Sequence, residues 1–173
     1  MMVQIDSEII ERCRRGDSSA FRTVVQTYQP MIYSLSLKML ADVEEAKDIV
    51  QEAFIKAWLA SERYEERYKF RTWLYKIAYR TLLDHAKRPR LERLPDNAAC
   101  TARSGMDADA AFRYEALYAA IRELPEQSRA AVLLFHIEGY SIAEIAAITH
   151  SNTVAVRQRL SRGLKLLRKS LTP

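Results

Sequence analysis

The sequence predicts an all-α protein with two small helical domains joined by a flexible linker. Glycine and proline are scarce, with 4 and 5 among 173 residues, whereas folds built from sheets need many turn residues. Apolar residues recur at helical spacing over most of the chain, and this periodicity disappears between about 91 and 112. We therefore expect helical domains at residues 1–90 and 113–173 and a linker at residues 91–112.

Composition argues against several other classes of protein. The apolar fraction of 49% is ordinary for a globular chain and argues against general disorder. No apolar run approaches the roughly 20 residues that cross a bilayer, and the first residues lack the basic and apolar regions of a signal peptide. Cys13 and Cys100 do not have the spacing of a zinc site or a disulfide framework. The sequence thus favours a cytoplasmic protein without membrane insertion, a metal site or a cofactor.

The first domain is expected to contain four helices. Asp17 or Ser18 can cap the second helix, because both side chains accept hydrogen bonds from free backbone N–H groups. Pro30 removes a hydrogen bond inside that helix and should bend it. The four helices are expected at about 6–15, 19–40, 43–59 and 70–87.

The net charge of +5 is distributed unevenly along the chain. Residues 41–52 hold five acidic residues and one basic residue, whereas residues 67–90 hold eight basic residues and one acidic residue. The segment from 150 to the end holds six basic residues and no acidic residue. Such basic surfaces suit an anionic partner such as a nucleic acid, and an ordinary solvated helix face is the alternative for each.

The second domain contains the pattern of a helix–turn–helix. Ser141 and Glu144 form a capping box at the start of one helix, and the polar segment 149–153 separates this helix from a long basic one. The buried stripe of the last helix is expected to contain Val156, Leu160, Leu164, Leu167 and Leu171.

The opposite face of the last helix combines basic and polar side chains. Such side chains suit the acceptor-rich base edges and the phosphates of a DNA major groove. A basic amphipathic helix packed against a neighbour is the alternative. The residues on this face are Arg157, Gln158, Ser161, Arg162 and Lys165.

Several short motifs follow one another along both domains. They are Gly16-Asp17 with Ala20-Phe21, the runs at 48–58 and 70–78, Leu124-Pro125-Glu126 with Arg129, Glu144-Ile145-Ala146, and Val156 with Arg162. In their order and spacing, over about residues 5–90 and 114–170, they resemble the extracytoplasmic-function (ECF) sigma factors, the compact two-domain sigma factors of bacteria.

The resemblance implies a protein that binds core RNA polymerase, recognises the −35 and −10 promoter elements and helps to open the duplex. It assigns core binding to Asp48, Gln51 and Glu52, which share one face of the third helix. The implied partner of this face is the coiled-coil clamp of the largest core subunit. An anti-sigma factor that covers the same surfaces is a further partner that the resemblance implies.

The resemblance assigns −10 recognition to the loop at about 62–69 and to the helix after it. Tyr64 holds the loop aromatic position of the family, and a free Tyr64 or Tyr68 ring could stack on a flipped base. Arg80 stands where the family usually has Asn. Because Arg offers only donors, we expect it to prefer an acceptor-rich base such as guanine, or to contact a phosphate. The basic residues expected to hold phosphates are Lys69, Arg71, Lys87 and Arg88.

The resemblance assigns −35 recognition to the outward face of the last helix. Two positions depart from the family's pattern, since Ala155 replaces the usual Thr and His150 replaces the usual turn glycine. A left-handed conformation costs free energy at a non-glycine residue, and from this cost we expect a turn geometry different from the family's. The positions that match the family's DNA contacts are Arg157, Gln158, Ser161 and Arg162.

No catalytic constellation is visible in the sequence. His85, His136 and His150 lack metal-ligand spacing, and no glycine-rich phosphate loop occurs. Two other classes of protein fit the sequence less well. A response regulator would need an α/β receiver domain, and residues 1–90 show no strand pattern. A nuclease or RNA-processing enzyme would need carboxylates or histidines near the basic faces, and Asp84 is the one acidic residue within 67–90.

Overall fold

The computed structural model describes residues 5–65, 67–87 and 108–171, and every regular element in these ranges is helical, which confirms the all-α prediction. None of the described helices combines the length and the apolar character that a membrane span requires. A 3₁₀ turn, Ser61–Arg63, follows α3, and a π-helical turn, Leu133–Ile137, continues α6. The helices are α1 (Ser7–Arg14), α2 (Ser18–Leu40), α3 (Val43–Ala60), α4 (Phe70–Ala86), α5 (Ala108–Arg122), α6 (Glu126–Val132), α7 (Ile142–Ile148) and α8 (Thr153–Leu171).

The chain forms two compact units. One comprises residues 1–36 and 44–90, and the other comprises residues 37–43 and 91–173. Most of the predicted linker lies outside the described residues, but its last part, 108–112, belongs to α5 and corrects the prediction there. Three of the first four residues of α5 are alanine. Alanine is the strongest helix former and yet adds little to apolar periodicity, so the pattern placed the start of this helix too late.

The start of α2 is capped by Asp17. Its Oδ1 atom accepts hydrogen bonds from the backbone N–H groups of Ser19 (2.8 Å) and Ala20 (3.2 Å). The Ser19 hydroxyl donates to the same oxygen (2.7 Å), and Arg12 Nε donates to Oδ2 (2.9 Å). These hydrogen bonds hold the pKa of Asp17 well below its usual value. The bond from the Ser19 hydroxyl has the largest effect, and the bond from Arg12 has the next largest. From this cap, α2 runs unbroken through Pro30.

An aromatic cluster packs α2 against α3. The centre of the Phe21 ring lies 5.0 Å from that of Trp58 and 6.3 Å from that of Phe54, both in edge-to-face arrangements. This packing leaves one face of α3 in solvent. The fully buried side chains of this unit include Val24, Tyr28, Ile32, Leu35, Ile49, Leu74 and Tyr75.

In the other unit, α8 packs closely on α6 at Gly163. A Cβ atom at this position would lie 2.8 Å from Val132 Cγ2 and 3.5 Å from Ser128 Cβ. The predicted buried stripe is wrong at Leu164 and Leu171, which are 40% and 46% exposed. Because glycine gives no apolar signal in a sequence, the periodicity predicts burial of Leu164 and not of its neighbour Gly163. The buried residues of α8 are Val156, Leu160, Gly163 and Leu167.

Polar contacts fix the helices around α8. The predicted capping box is present, since Ser141 Oγ accepts from the Glu144 N–H (3.2 Å) and Glu144 Oε2 accepts from the Ser141 N–H (2.9 Å). The Arg129 guanidinium donates to the carbonyl oxygens of Arg122 and of Leu124, the latter at 3.1 Å. Burial lowers the pKa of Arg129. This one side chain thus ties the end of α5 to α6.

We expect Gly163→Ala to destabilise the second unit by about 1–3 kcal/mol, because its methyl group would overlap the buried Val132 side chain. Urea unfolding followed by circular dichroism measures the change. Val132→Ala removes the overlapping Cγ2 atom, so the double variant should lose less stability than the two single variants together. Strictly additive losses would contradict the close contact.

Candidate protein-binding and DNA-binding surfaces

The outer face of α3 exposes two of the three residues predicted to bind the core polymerase. Asp48 and Gln51 are exposed. The Glu52 carboxylate lies 2.7 Å from the Lys56 ammonium, which in turn donates to the Thr81 hydroxyl of α4 at 3.3 Å. With 31% of its side chain exposed, Glu52 is partly accessible and also helps to connect α3 with α4.

Two apolar side chains that the sequence analysis missed extend this face. Ile55 is 53% exposed and Leu59 is 75% exposed. They follow Gln51 at about one and two helical turns and therefore share its face, a spacing that was readable in the sequence. Both border a groove between α2 and α3 with a volume of about 580 Å³. The residues that line this groove include Phe21, Val25, Tyr33, Phe54 and Trp58.

The loop before α4 corrects the prediction for Tyr64. Its ring is only 3% exposed and lies 5.2 Å from the ring centres of both Phe70 and Trp73. Its hydroxyl donates to the Tyr68 carbonyl at 2.7 Å. A ring held in this way is part of the core, so it is not available to stack on a flipped base in this conformation. Tyr68 is 40% exposed, with the Arg67 guanidinium 5.8 Å from its ring centre.

The basic residues of α4 and the loop before it fall into two groups. Arg71 is only 8% exposed, and its guanidinium lies 5.7 Å from the centre of the Tyr75 ring. The first turn of α4 faces inward at this position, so the prediction that Arg71 holds a phosphate is wrong for this conformation. Arg88 lies outside the described residues. The exposed basic residues are Arg67, which lies beside the Tyr68 ring, and the three predicted DNA contacts Lys69, Arg80 and Lys87.

One exposed face of α8 carries all five side chains predicted to contact the −35 element. The helix contains no acidic residue. Asn152 caps its N-terminus, since Asn152 Oδ1 accepts from the Ala155 N–H at 2.7 Å. The result is a basic, hydrogen-bonding ridge opposite the buried stripe. Its exposed residues are Arg157, Gln158, Ser161, Arg162 and Lys165.

The turn between α7 and α8 keeps a left-handed residue although the position is histidine. His150 has a φ of 50°, in the region that L-residues disfavour. The Ser151 N–H donates to the Ala146 carbonyl at 2.9 Å and so closes the end of α7. The turn therefore has the conformation that a glycine would supply, at a cost in conformational free energy.

The three histidines lie on separate elements. His85 belongs to α4, His136 to the π-helical turn and His150 to the turn before α8. Within residues 5–65, 67–87 and 108–171, no group of three or more His, Cys, Asp or Glu side chains could hold a metal ion.

Comparison with known proteins gives matches in both units. The sigma-70 region 2 family matches residues 24–91, and the sigma-70 region 4 family matches residues 114–167. The chain is 32% identical to the ECF RNA polymerase sigma factor SigW of Bacillus subtilis, with 94% of each chain covered. It is 34% identical to the RNA polymerase sigma-H factor of Pseudomonas aeruginosa, over 97% of this chain and 94% of the relative.

Two solved structures share the fold. CnrH, solved in complex with the cytosolic domain of CnrY, has a TM-score of 0.72 and 22% identity, with 94% of each chain covered. The sigma factor RpoE of Bartonella quintana, solved in complex with the anti-sigma factor NepR, has a TM-score of 0.72 and 19% identity. That match covers 87% of this chain and 96% of the other.

The relatives above 30% identity extend over nearly the whole chain, and both sigma-70 regions match in the expected order. The resemblance drawn from the sequence motifs is thereby confirmed. The chain belongs to the ECF family of RNA polymerase sigma factors, which bind core RNA polymerase and direct transcription initiation at specific promoters.

Proposed function

We propose that this sigma factor binds core polymerase through the outer face of α3, contacts the −10 element through α4 and the loop before it, and reads the −35 element through α8. The observation that supports this division is the separation of charge among the exposed faces. The exposed face of α3 is acidic and apolar. Lys69, Arg80 and Lys87 are exposed on α4 and at its two ends, where Asp84 is the one exposed acidic residue, and α8 has no acidic residue. The protein acts by binding, in the cytoplasm, and the polymerase supplies the chemistry.

Asp48 and Gln51 are the central residues of the proposed core contact. Both are exposed on α3, where a helix of the largest subunit's clamp can approach them. Glu52 is assigned a dual role, because its carboxylate already pairs with Lys56 at 2.7 Å. It can contact the polymerase through its accessible part while it keeps α3 in place on α4.

For the −35 element, α8 offers side chains that match base edges. Arg157 and Arg162 can each donate two hydrogen bonds to the O6 and N7 atoms of a guanine, and Gln158 can both donate to and accept from an adenine. Ser161 and Lys165 suit base edges or phosphates. Because the opposite face of α8 is buried, the helix cannot rotate without exposing apolar surface, so these side chains keep their direction.

For the −10 element, the exposed residues of the loop and of α4 are the candidates. Tyr68 replaces Tyr64 as the ring that can stack on an unpaired base, because it is the exposed one of the two. Lys69 and Lys87 can hold phosphates without reading sequence. Arg88, predicted to do the same, stays part of the proposal on the basis of its charge alone.

Arg80 is the proposed specificity residue of the −10 contact. Its neighbours Tyr79 and Thr81 are 5% and 1% exposed, so the packing of α4 fixes the direction in which the Arg80 side chain leaves the helix. The guanidinium offers donors only. It therefore favours a guanine, which presents two acceptors, or a phosphate oxygen.

An anti-sigma factor is the proposed regulatory partner. RpoE of Bartonella quintana, which shares the fold, was solved in complex with one. The faces of α3 and α8 are both exposed in this chain. A protein that covered either face would prevent assembly with polymerase or promoter, and so would keep the sigma factor inactive.

Run-off transcription with purified core polymerase tests the proposed function. We expect Asp48→Lys to abolish core binding and transcription, because it places a positive charge at the proposed contact, while binding to −35 DNA is retained. Glu8→Lys, a charge reversal at an exposed position of α1, is the matched control and should be silent. Unchanged core affinity of Asp48→Lys would refute this assignment, and a response regulator or a nuclease would give no core-dependent transcript.

The −35 assignment predicts that Arg157→Ala weakens binding by about 1–3 kcal/mol at a promoter whose base it reads, and less where that base is changed. Fluorescence anisotropy with promoters varied at each −35 position, at one salt concentration, measures the effect. Lys169→Ala removes a charge from the last turn of the same helix and should cause a smaller loss that is equal for all sequences. Absence of any effect from Gln158→Ala and Arg162→Ala on every −35 variant would count against this face.

The −10 assignment predicts that Arg80→Asn shifts the preferred base at one −10 position away from guanine. Permanganate detection of open complexes, on promoters varied at each −10 position, reports the preference. A uniform loss would show a phosphate contact instead, and no change would refute both roles of Arg80. Arg22→Asn, at an exposed position of α2, controls for the loss of one positive charge.

A further inference from the structure

An apolar side chain lies at the centre of the basic face of α8. Val154, the second residue of this helix, is 58% exposed. At about 100° per residue, its direction differs by about 20° from that of Ser161 or Lys165. The direction of Gly163, on the buried side, differs from it by about 180°. Val154 therefore belongs to the face that we propose reads the −35 element, although the sequence analysis did not include it.

Two polar residues one turn further along α8 lie on either side of Val154. Arg157 follows it by three positions and Gln158 by four, so their directions differ from that of Val154 by about 60° and about 40° in opposite senses. Both side chains are exposed and offer hydrogen bonds to base edges. Isolated exposed apolar residues are common on proteins. Val154 differs from them because it lies among hydrogen-bonding residues that are proposed to enter one groove.

The first turn of α8 holds Val154 in a fixed direction. Asn152 Oδ1 accepts from the Ala155 N–H at 2.7 Å, and the Asn152 carbonyl accepts from the Val156 N–H at 3.1 Å. The Val156 side chain is fully buried. A valine in a helix also has one strongly preferred rotamer, so both methyl groups of Val154 have defined positions. The side chain thus loses little conformational entropy when it contacts a partner.

The chemistry of valine selects one kind of base edge. In the major groove, thymine presents an apolar group, its C5-methyl, beside its acceptor oxygen. The other bases present donors and acceptors that valine would desolvate without replacing their hydrogen bonds. Recognition helices place their N-terminal residues against base edges, and Val154 lies at this end of α8. A thymine methyl group is therefore the contact that suits this position.

We infer that Val154 is a specificity residue of the −35 contact, and that it packs against the C5-methyl group of a thymine beside the bases that Arg157 and Gln158 read. The inference rests on the proposed function of α8 and adds to it the base that the start of the helix selects. Because only one strand of an A·T pair carries the methyl group, this contact also distinguishes A·T from T·A.

The test removes methyl groups from each side of the contact in turn. Full-length protein is assembled with core polymerase, and its binding to a labelled promoter that it transcribes is measured by fluorescence anisotropy at one salt concentration. Each −35 thymine, on either strand, is replaced by deoxyuridine, which lacks only the C5-methyl group. We expect one such replacement to weaken binding about 3- to 10-fold, and Val154→Ala to do the same on the thymine promoter. The two changes together should weaken binding little more than either alone.

Two controls accompany these measurements. Leu171→Ala truncates an apolar side chain that is 46% exposed at the end of the same helix. It should bind the thymine and deoxyuridine promoters as the unmodified protein does. Circular dichroism checks the fold of Val154→Ala, which we expect to be intact because alanine has the higher helix propensity.

Three results would each overturn the inference. They are unchanged promoter affinity of folded Val154→Ala, strictly additive losses from Val154→Ala and deoxyuridine, and the absence of any −35 thymine whose replacement weakens binding. A base-dependent loss in Arg157→Ala, measured beside them, would leave the proposed function of α8 standing. Equal binding of the unmodified protein to promoters with and without the −35 element would refute that proposed function, and the inference with it.

Discussion

The edge-to-face packing of Phe21 against Phe54 and Trp58 fixes how α3 lies on α2, and the exposed face of α3 that we propose binds polymerase depends on it. Successive residues of a helix differ by about 100° in direction. With Ile49 and Phe54 turned inward, Asp48 and Ile55 have to point outward. The hydrophobic contact therefore sets the direction of the charge as well as the floor of the groove.

The same constraint acts on α8, where the critical residue has no side chain. Gly163 lets α8 approach α6 so closely that a methyl group would lie 2.8 Å from Val132. Close approach on this side holds Leu160 and Leu167 inside and leaves the basic face on the surface. In the turn before α8, His150 has a φ of 50°, a conformation that costs free energy at a non-glycine residue. The packing of α8 compensates for this local cost. In both units, the side chains buried on one side of a helix thus set the direction of the exposed face that is proposed to bind a partner.

The fold and the outward position of most of the residues that we propose contact DNA could be predicted from the sequence, because both follow from the alternation of apolar and polar residues along helices. The outward position of Arg157 is an example. The errors occur where burial depends on tertiary contacts. Tyr64 lies in a polar segment, so nothing local indicates that its ring completes a cluster with Phe70 and Trp73. Arg71 is similar, because a long basic side chain is usually solvated and is buried here over Tyr75.

A pattern of charges indicates where polar contacts can form and gives no information about exposed apolar side chains. For this reason the sequence analysis did not identify Ile55 and Leu59 as neighbours of Asp48 on the exposed face of α3. The omission matters for the energetics of the assembled complex. Contacts of a basic helix with phosphates release counterions, so DNA affinity falls steeply as salt rises. The affinity of an interface with a large apolar part falls far less as the salt concentration rises. In the proposed assignment, DNA binding through the basic face of α8 is therefore more sensitive to salt than protein binding through a face of α3 that includes the exposed Ile55 and Leu59.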